Sequence, residues 1–176
     1  WRKAKVDVVI PTLNEEANII FCLTSLVRQT VRPRQIILVD DGSTDRTVAF
    51  TKDFCAANNM PVKIIQRQSR IGKTPTIKRQ AREFDSDVEF ILDGDTALES
   101  PNYIERTVEE LYKAAGVASA CGNVLSFRRR DRRALLRENA LKDFMAAHPD
   151  APVYPRKNLF HRIQGGLTSM YRECLY

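Results

Sequence analysis

Two histidines, one tryptophan and seven glycines in 176 residues leave several kinds of chemistry without their parts. His148 and His161 have no partner at ligand spacing, and neither H-E-x-x-H nor a serine elbow occurs. Zinc hydrolysis and serine–histidine catalysis therefore lose ground, and both histidines read as surface or loop residues. Glycine is missing where a phosphate loop needs it. After the first apolar run the chain reads Pro11 Thr12 Leu13 Asn14 Glu15 Glu16, without the G-x-G-x-x-G of a dinucleotide site. Gly72 Lys73 Thr74 resembles the tail of a P-loop, but the earlier glycine is absent and Pro75 follows at once. The four cysteines, Cys22, Cys55, Cys121 and Cys174, form no C-x-x-C pair, so neither a zinc site nor a disulfide framework is indicated and a reducing cytoplasm is the simplest setting. No apolar run approaches the roughly 20 residues that cross a bilayer, and the first residues are charged rather than secretory in character.

Basic residues outnumber acidic ones, 28 to 22, for a net charge of +6 and a pI near 9.3. Such a balance favours anionic partners. The excess gathers in Arg128 Arg129 Arg130 Asp131 Arg132 Arg133, with Arg137 close behind. Two readings stand: a solvated helix face, or a surface for anionic lipid headgroups or acidic substrate. No nucleic-acid partner is expected, because the basic residues are not interleaved with aromatics along a face.

The hydrophobic share, 43%, supports one domain with a real core. Apolar runs at 6–10, 36–39, 62–65 and 88–92 read as strands, the first closed by Pro11. Between them lie helical patterns: 17–27, capped at Asn14; a second from a Ser43 or Thr44 cap to 57; and a third over 76–84. Further along, 103–115 and 132–147 read as helices, with strands expected at 117–124 and 163–171. Strand and helix alternate, which predicts an α/β fold: right-handed crossovers and a mostly parallel sheet with helices on both faces. In such sheets ligands bind beyond the carboxyl ends of the strands. Three polar clusters fall there: Pro11 Thr12 Leu13 Asn14 Glu15, Asp40 Asp41 Gly42 Ser43, and Asp93 Gly94 Asp95.

The last cluster places two carboxylates at i and i+2 where a strand meets a turn, with Gly94 expected to let the backbone turn. Mg²⁺ and Mn²⁺ prefer carboxylate oxygens, and Mg²⁺ commonly takes one or two of them beside water and substrate phosphate. A solvated turn is the alternative. With Arg70 and Lys73 as nearby cations and an acid at the second strand end to accept from a base N–H or a ribose hydroxyl, the set suits a metal-bound nucleoside diphosphate.

Four ordered stretches, Val8 Val9 Ile10 Pro11 Thr12 Leu13 Asn14 Glu15, Ile37 Leu38 Val39 Asp40 Asp41 Gly42 Ser43 Thr44 Asp45, Arg70 Ile71 Gly72 Lys73, and Leu92 Asp93 Gly94 Asp95, resemble the signature of family-2 inverting glycosyltransferases. The resemblance implies the GT-A fold, a Rossmann-like three-layer αβα sandwich that binds a nucleotide sugar with Mg²⁺ or Mn²⁺. It implies that Pro11, Leu13 and Glu15 surround the nucleobase and ribose, that Asp41 contacts the base, and that Lys73 lies near the uracil or diphosphate. Asp93 would lie by the ribose and sugar and join the metal site, with Asp95 the direct ligand. Gly122 Asn123 Val124 and Gln164 Gly165 Gly166 Leu167 Thr168 Ser169 Met170 Tyr171 Arg172 are similar to processive synthases of the hyaluronan and chitin type. There the segment holding Gly165, Gly166, Tyr171 and Arg172 shapes the acceptor side.

These matches imply one glycosyltransferase domain over 1–176, with donor binding in 1–100 and the start of the acceptor part in 101–176. The partners implied are a UDP-sugar and a glycan acceptor, and the location is the cytoplasmic face of the cell membrane within a longer membrane protein. The family's catalytic Asp or Glu, its Gln-x-x-Arg-Trp motif and its transmembrane helices do not occur before Tyr176, and Glu173 belongs to the acceptor segment. The expectation is a base beyond Tyr176; a non-catalytic nucleotide-sugar module is the competing reading. A nucleotidyltransferase is disfavoured by the missing glycine-rich loop.

Overall fold

The computed structural model describes residues 2–83, 85–113, 115, 116, 119, 120, 122, 125 and 129–153, with 129 and 130 given as backbone alone. Strands β1 (Val6–Thr12), β2 (Gln35–Asp40), β3 (Val62–Gln66) and β4 (Val88–Ile91) form one sheet. Its order is β3-β2-β1-β4 and every pairing is parallel. Helices α1 (Ile19–Val27), α2 (Thr47–Ala57) and α3 (Lys73–Glu83) make the crossovers. Helices α4 (Tyr103–Lys113), α5 (Arg129–Leu135) and α6 (Asn139–Ala147) come after β4.

Alternation along each strand divides the apolar side chains between two faces. Val6, Val8, Ile10, Ile36, Leu38 and Val88 join Phe21, Leu23, Phe50, Phe54, Ile104, Leu141 and Phe144 in the main core. Val9, Ile37 and Val39, with Ile65 beside them, form a much smaller cluster on the other face. The chain steps from β1 outward to β2 and β3, then returns past β1 to lay down β4 on its far side. Right-handed crossovers in opposite directions put their helices on opposite faces. So α1 and α2 pack together over the main core, and α3 lies against β1 from the other side. The direction reverses between β1 and β4, and such a reversal opens a crevice at the carboxyl ends of the two strands.

Several expectations need adjustment. Pro11 does not close β1, because it pairs with Val39 and the strand continues to Thr12. The Val9 carbonyl accepts from Leu92 N on the β4 side, and Pro11 faces the same way, beyond the last β4 residue, where no N–H is required. Helix α3 begins at Lys73 rather than 76, since Pro75 in a first turn removes no intrahelical bond. The single helix expected over 132–147 is two. Leu136, Arg137 and Glu138 close the first with backbone bonds, and Glu138 is extended, with φ −67° and ψ 135°. On one continuous helix Leu135 and Leu141 would point about 120° apart. The break buries both, at 3% and 0% exposure, and Glu138 pairs with Arg28 at 3.2 Å. The strand expected at 163–171 lies outside the described residues, as does most of the one at 117–124.

Candidate functional site

The loops after β1 and β2 hold each other. Asn14 takes a positive φ of 57°, its N–H donates to Ser43 Oγ at 2.8 Å, and its Oδ1 accepts from Thr44 N at 2.9 Å. Glu15 N donates to Thr47 Oγ1 at 2.8 Å, Glu16 N to Asp45 Oδ2 at 3.0 Å, and Arg46 N to Glu16 Oε2 at 3.1 Å. Asn14 is therefore no helix cap: α1 starts at Ile19 and Asn14 is tied to the neighbouring loop. Neither Ser43 nor Thr44 caps α2, whose first N–H, that of Thr47, finds Asp45 Oδ1 at 2.9 Å. Side chains thus satisfy the backbone of two strand-end loops in place of solvent, which fixes the loops before any ligand arrives.

Asp41, at the end of β2, organises a third segment. Its Oδ1 accepts from Ile71 N at 2.9 Å and from Arg67 at 3.2 Å, and its Oδ2 accepts from Gly72 N at 2.7 Å. Burial alone would push this carboxyl up, but the two amides and the Arg67 guanidinium hold it below the usual carboxylate range. Arg67 also bonds Thr76 in α3. Gly72 takes φ +92°, a conformation that favours glycine, and so turns the chain into α3. The turn delivers Lys73 Nζ to Asp93 Oδ1 at 2.5 Å. Arg70 is exposed on the same segment.

Asp93 and Asp95 flank the buried Gly94 beyond β4. Gly94 does not have a positive φ; its need is close approach, because a Cβ there would stand 2.9 Å from Thr12 Cγ2 and 3.2 Å from Glu15 Cγ. The acidic turn is thereby pressed onto the end of β1. Cys22, fully buried in α1 beneath, reports the same closeness: burial raises its thiol pKa and the charges of Asp95 and Asp93 raise it further. Thr12 Oγ1 is buried without a hydrogen-bond partner at this junction. Among the described residues no group of three His, Cys, Asp or Glu side chains is placed to hold a metal. The Asp93–Asp95 pair fits a hard cation that completes its shell with phosphate oxygens and water.

Pro11, Leu13, Glu15, Asp41, Lys73, Asp93 and Asp95 therefore share one rim, at the crevice where the sheet reverses. Gly165, Gly166, Tyr171 and Arg172 lie outside the described residues. Gly122 leaves room for Tyr103, whose hydroxyl stands 1.7 Å from where a Cβ would be and whose ring meets Phe90 edge-on at 6.2 Å. Two organising residues have no strong signal in the sequence. Arg67 looks like any surface arginine until Asp41 is seen beside it. Arg46 is hidden in the same way, although its place inside Ser43 Thr44 Asp45 Arg46 Thr47 is a pointer.

Fold and rim together define a parallel α/β domain with polar, largely acidic loops at its topological switch point, the place where ligands of such sheets bind. The chain belongs to the family described as glycosyl transferase family 2, which it matches over residues 7–172. It is 30% identical over 116 residues to a dolichol-phosphate mannosyltransferase from Pyrococcus furiosus, covering 65% of this chain and 32% of that protein. Among solved structures it resembles the mannosyltransferase PcManGT from Pyrobaculum calidifontis in complex with GDP-Man and Mn²⁺, with a TM-score of 0.61 and 24% identity over 76% of this chain and 39% of the other. It also resembles glucosyl-3-phosphoglycerate synthase from Mycobacterium tuberculosis in complex with Mn²⁺, UDP and phosphoglyceric acid, with a TM-score of 0.50 and 25% identity over 65% and 41%. These likenesses agree with the expected GT-A, Rossmann-like architecture. The chain spans about a third of the length of the curated mannosyltransferase it matches.

Proposed function

We propose that this chain forms the donor-binding part of a metal-dependent glycosyltransferase that moves a sugar from a nucleotide sugar, a UDP-sugar in the first instance, to a glycan acceptor with inversion. The observation that carries this reading is the convergence of Asp41, Lys73, Asp93 and Asp95 on one rim at the β1/β4 reversal. Asp41 has about four acceptor positions on its two oxygens and uses three of them on Ile71, Gly72 and Arg67. One remains for the N–H edge of a base, while Pro11, Leu13 and Glu15 line the same opening. Asp95 and Asp93 would hold Mn²⁺ or Mg²⁺ against the diphosphate, and the metal supplies charge neutralisation to the leaving group. The similar glucosyl-3-phosphoglycerate synthase was solved in complex with Mn²⁺ and UDP, which supports a divalent cation here.

Lys73 changes partner in this reading. Its ammonium neutralises Asp93 in the structure and turns to the diphosphate when metal and donor enter. Residues 1–100 carry the donor and 101–176 begin the acceptor side. The similarity of Gly165, Gly166, Tyr171 and Arg172 to the acceptor segment of processive synthases points to polysaccharide synthesis at the cytoplasmic membrane face.

Titration calorimetry tests the reading. UDP binds in the presence of Mn²⁺, and both omission of the metal and Asp95→Ala weaken binding by about tenfold or more, equivalent to about 1.4 kcal/mol. Binding that is indifferent to metal and to Asp95→Ala overturns the assignment. UDP binding by a complete protein that turns over no donor would return the non-catalytic module.

A further inference from the structure

Arg46 joins segments that the donor reading does not connect. It lies just before α2, and its backbone N–H and Nε both reach Glu16 Oε2, at 3.1 and 3.4 Å. The other prongs of the guanidinium reach the carboxylate of Asp150 and, at 3.2 Å, its carbonyl oxygen. The guanidinium carbon stands 4.6 Å from the Phe50 ring centroid. Phe50 meets Phe144 edge-on at 5.2 Å, Phe144 lies 4.4 Å from His148, and His148 Nε2 lies 3.5 Å from Asp53 Oδ2. One side chain therefore grips the loop after β1 and the turn after α6 at once, above an aromatic stack that joins α2 to α6.

Geometry makes the grip directional. Two guanidinium nitrogens of Arg46 meet Asp150, one at its side chain and one at its main chain, so the turn is held in position and orientation. Asp150 stands at the point where the chain leaves α6 for residues 151–153. Glu16 is one link in the hydrogen-bonded set that fixes Asn14, Glu15, Ser43 and Thr44. A shift of the turn after α6 is thus carried to both loops of the rim.

We infer that Arg46 is a positioning residue that couples the two rim loops to the segment leaving α6, so that order imposed on one is transmitted to the other. The coupling itself stands on these contacts. Its use, ordering the acceptor side when the donor is bound, rests on the nucleotide-sugar reading.

Amide hydrogen exchange on the whole protein tests both parts. In the first arm, without ligand, Asp150→Ala and Arg46→Met each speed exchange at Glu16 and Thr44 N–H by about threefold to fivefold, as loss of a partly exposed ion pair implies. Asp150→Glu, which keeps a carboxylate, restores much of the protection. Changes confined to 148–153 in Asp150→Ala overturn the inference. In the second arm, UDP with Mn²⁺ slows exchange at Ala151 N–H, which bonds the His148 carbonyl at 3.0 Å. Arg46→Met loses that slowing even at UDP concentrations that saturate the variant by calorimetry; slowing that persists in the saturated variant overturns the inference. If the unaltered protein binds no UDP, the donor reading has failed, and the first arm alone decides the coupling.

Discussion

Gly94 is needed at its position for a reason its motif does not advertise. An Asp-Gly-Asp turn suggests a glycine required for backbone freedom, whereas the structure requires it for space, with Thr12 and Glu15 packed where a Cβ would go. Thr12 is buried in β1 and cannot retreat, so Gly94→Ala pushes the turn away and carries both carboxylates with it. Overpacking of this kind costs about 1 to 3 kcal/mol. The expected result is a lowered melting temperature together with UDP–Mn²⁺ affinity down by about tenfold. Unchanged affinity in a folded variant would separate the turn from the binding rim.

Glu89 illustrates the opposite end of the sheet. It pairs in register with Asp7, whose carboxylate is already engaged by Arg34 at 2.9 Å, and its Oε1 is buried without a partner. Burial first, and the Asp7 charge second, push the Glu89 carboxyl up from the usual 4.5. A raised acid favours the folded state while protonated: the benefit is present below about pH 4.5 and is lost as pH rises through the folded value. At neutral pH the ionised side chain therefore works against folding. Glu89→Gln should raise the melting temperature at pH 7 by about 1 to 3 °C, with the gain shrinking as pH falls towards 4.5. An equal gain at every pH would assign the effect to packing rather than charge.

At the scale of elements, the four strands and the first three crossovers are legible in the sequence because short apolar stretches, densest in the buried β1 and β2 and interrupted by Lys63 in β3 and Glu89 in β4, alternate with helical patterns. Boundaries are less so. Nothing local distinguishes Asn14 as a cap from Asn14 as a tie to Thr44, since that choice depends on a loop 30 residues away. The split between α5 and α6 follows from the need to bury both Leu135 and Leu141, a demand made by the core and invisible in helix propensity. The arginine run also divides in role. Arg132 lies 5.2 Å from the Phe21 ring centroid and belongs to the fold, while Arg133 and Arg137 are exposed. If the run also serves a membrane, binding to vesicles containing phosphatidylserine should appear at low salt and weaken as the screening length shortens to about 8 Å near physiological ionic strength. A protein that stays off such vesicles at low salt has a solvated face here.

For the whole molecule, the order of the strands explains why residues far apart in sequence share one rim. Alternation of strand and helix predicts a parallel sheet, but not which strand neighbours which. Placing β4 beside β1 rather than beside β3 is what unites Glu15 with Gly94 and brings Lys73 to Asp93. The candidate rim is legible as three clusters at strand ends. Its internal bonding is not, because Asp41, Arg67 and Arg46 act through partners that only the folded chain supplies.

The unequal faces of the sheet carry one more consequence. Among the described residues, the smaller apolar cluster on the other sheet face is Val9, Ile37 and Val39 with Ile65, and α3 buries Thr76 and Gln80 rather than large apolar side chains. With so little apolar area to hold it, α3 is expected to exchange its amides faster than α1 and α2. The cation it carries, Lys73, is thus mounted on the most thinly anchored of the three crossovers, while the carboxylate it meets stands beside the end of β1. If the rim takes a nucleotide, slower amide exchange along α3 in the bound state is the expected sign that capture and tightening of that helix are coupled.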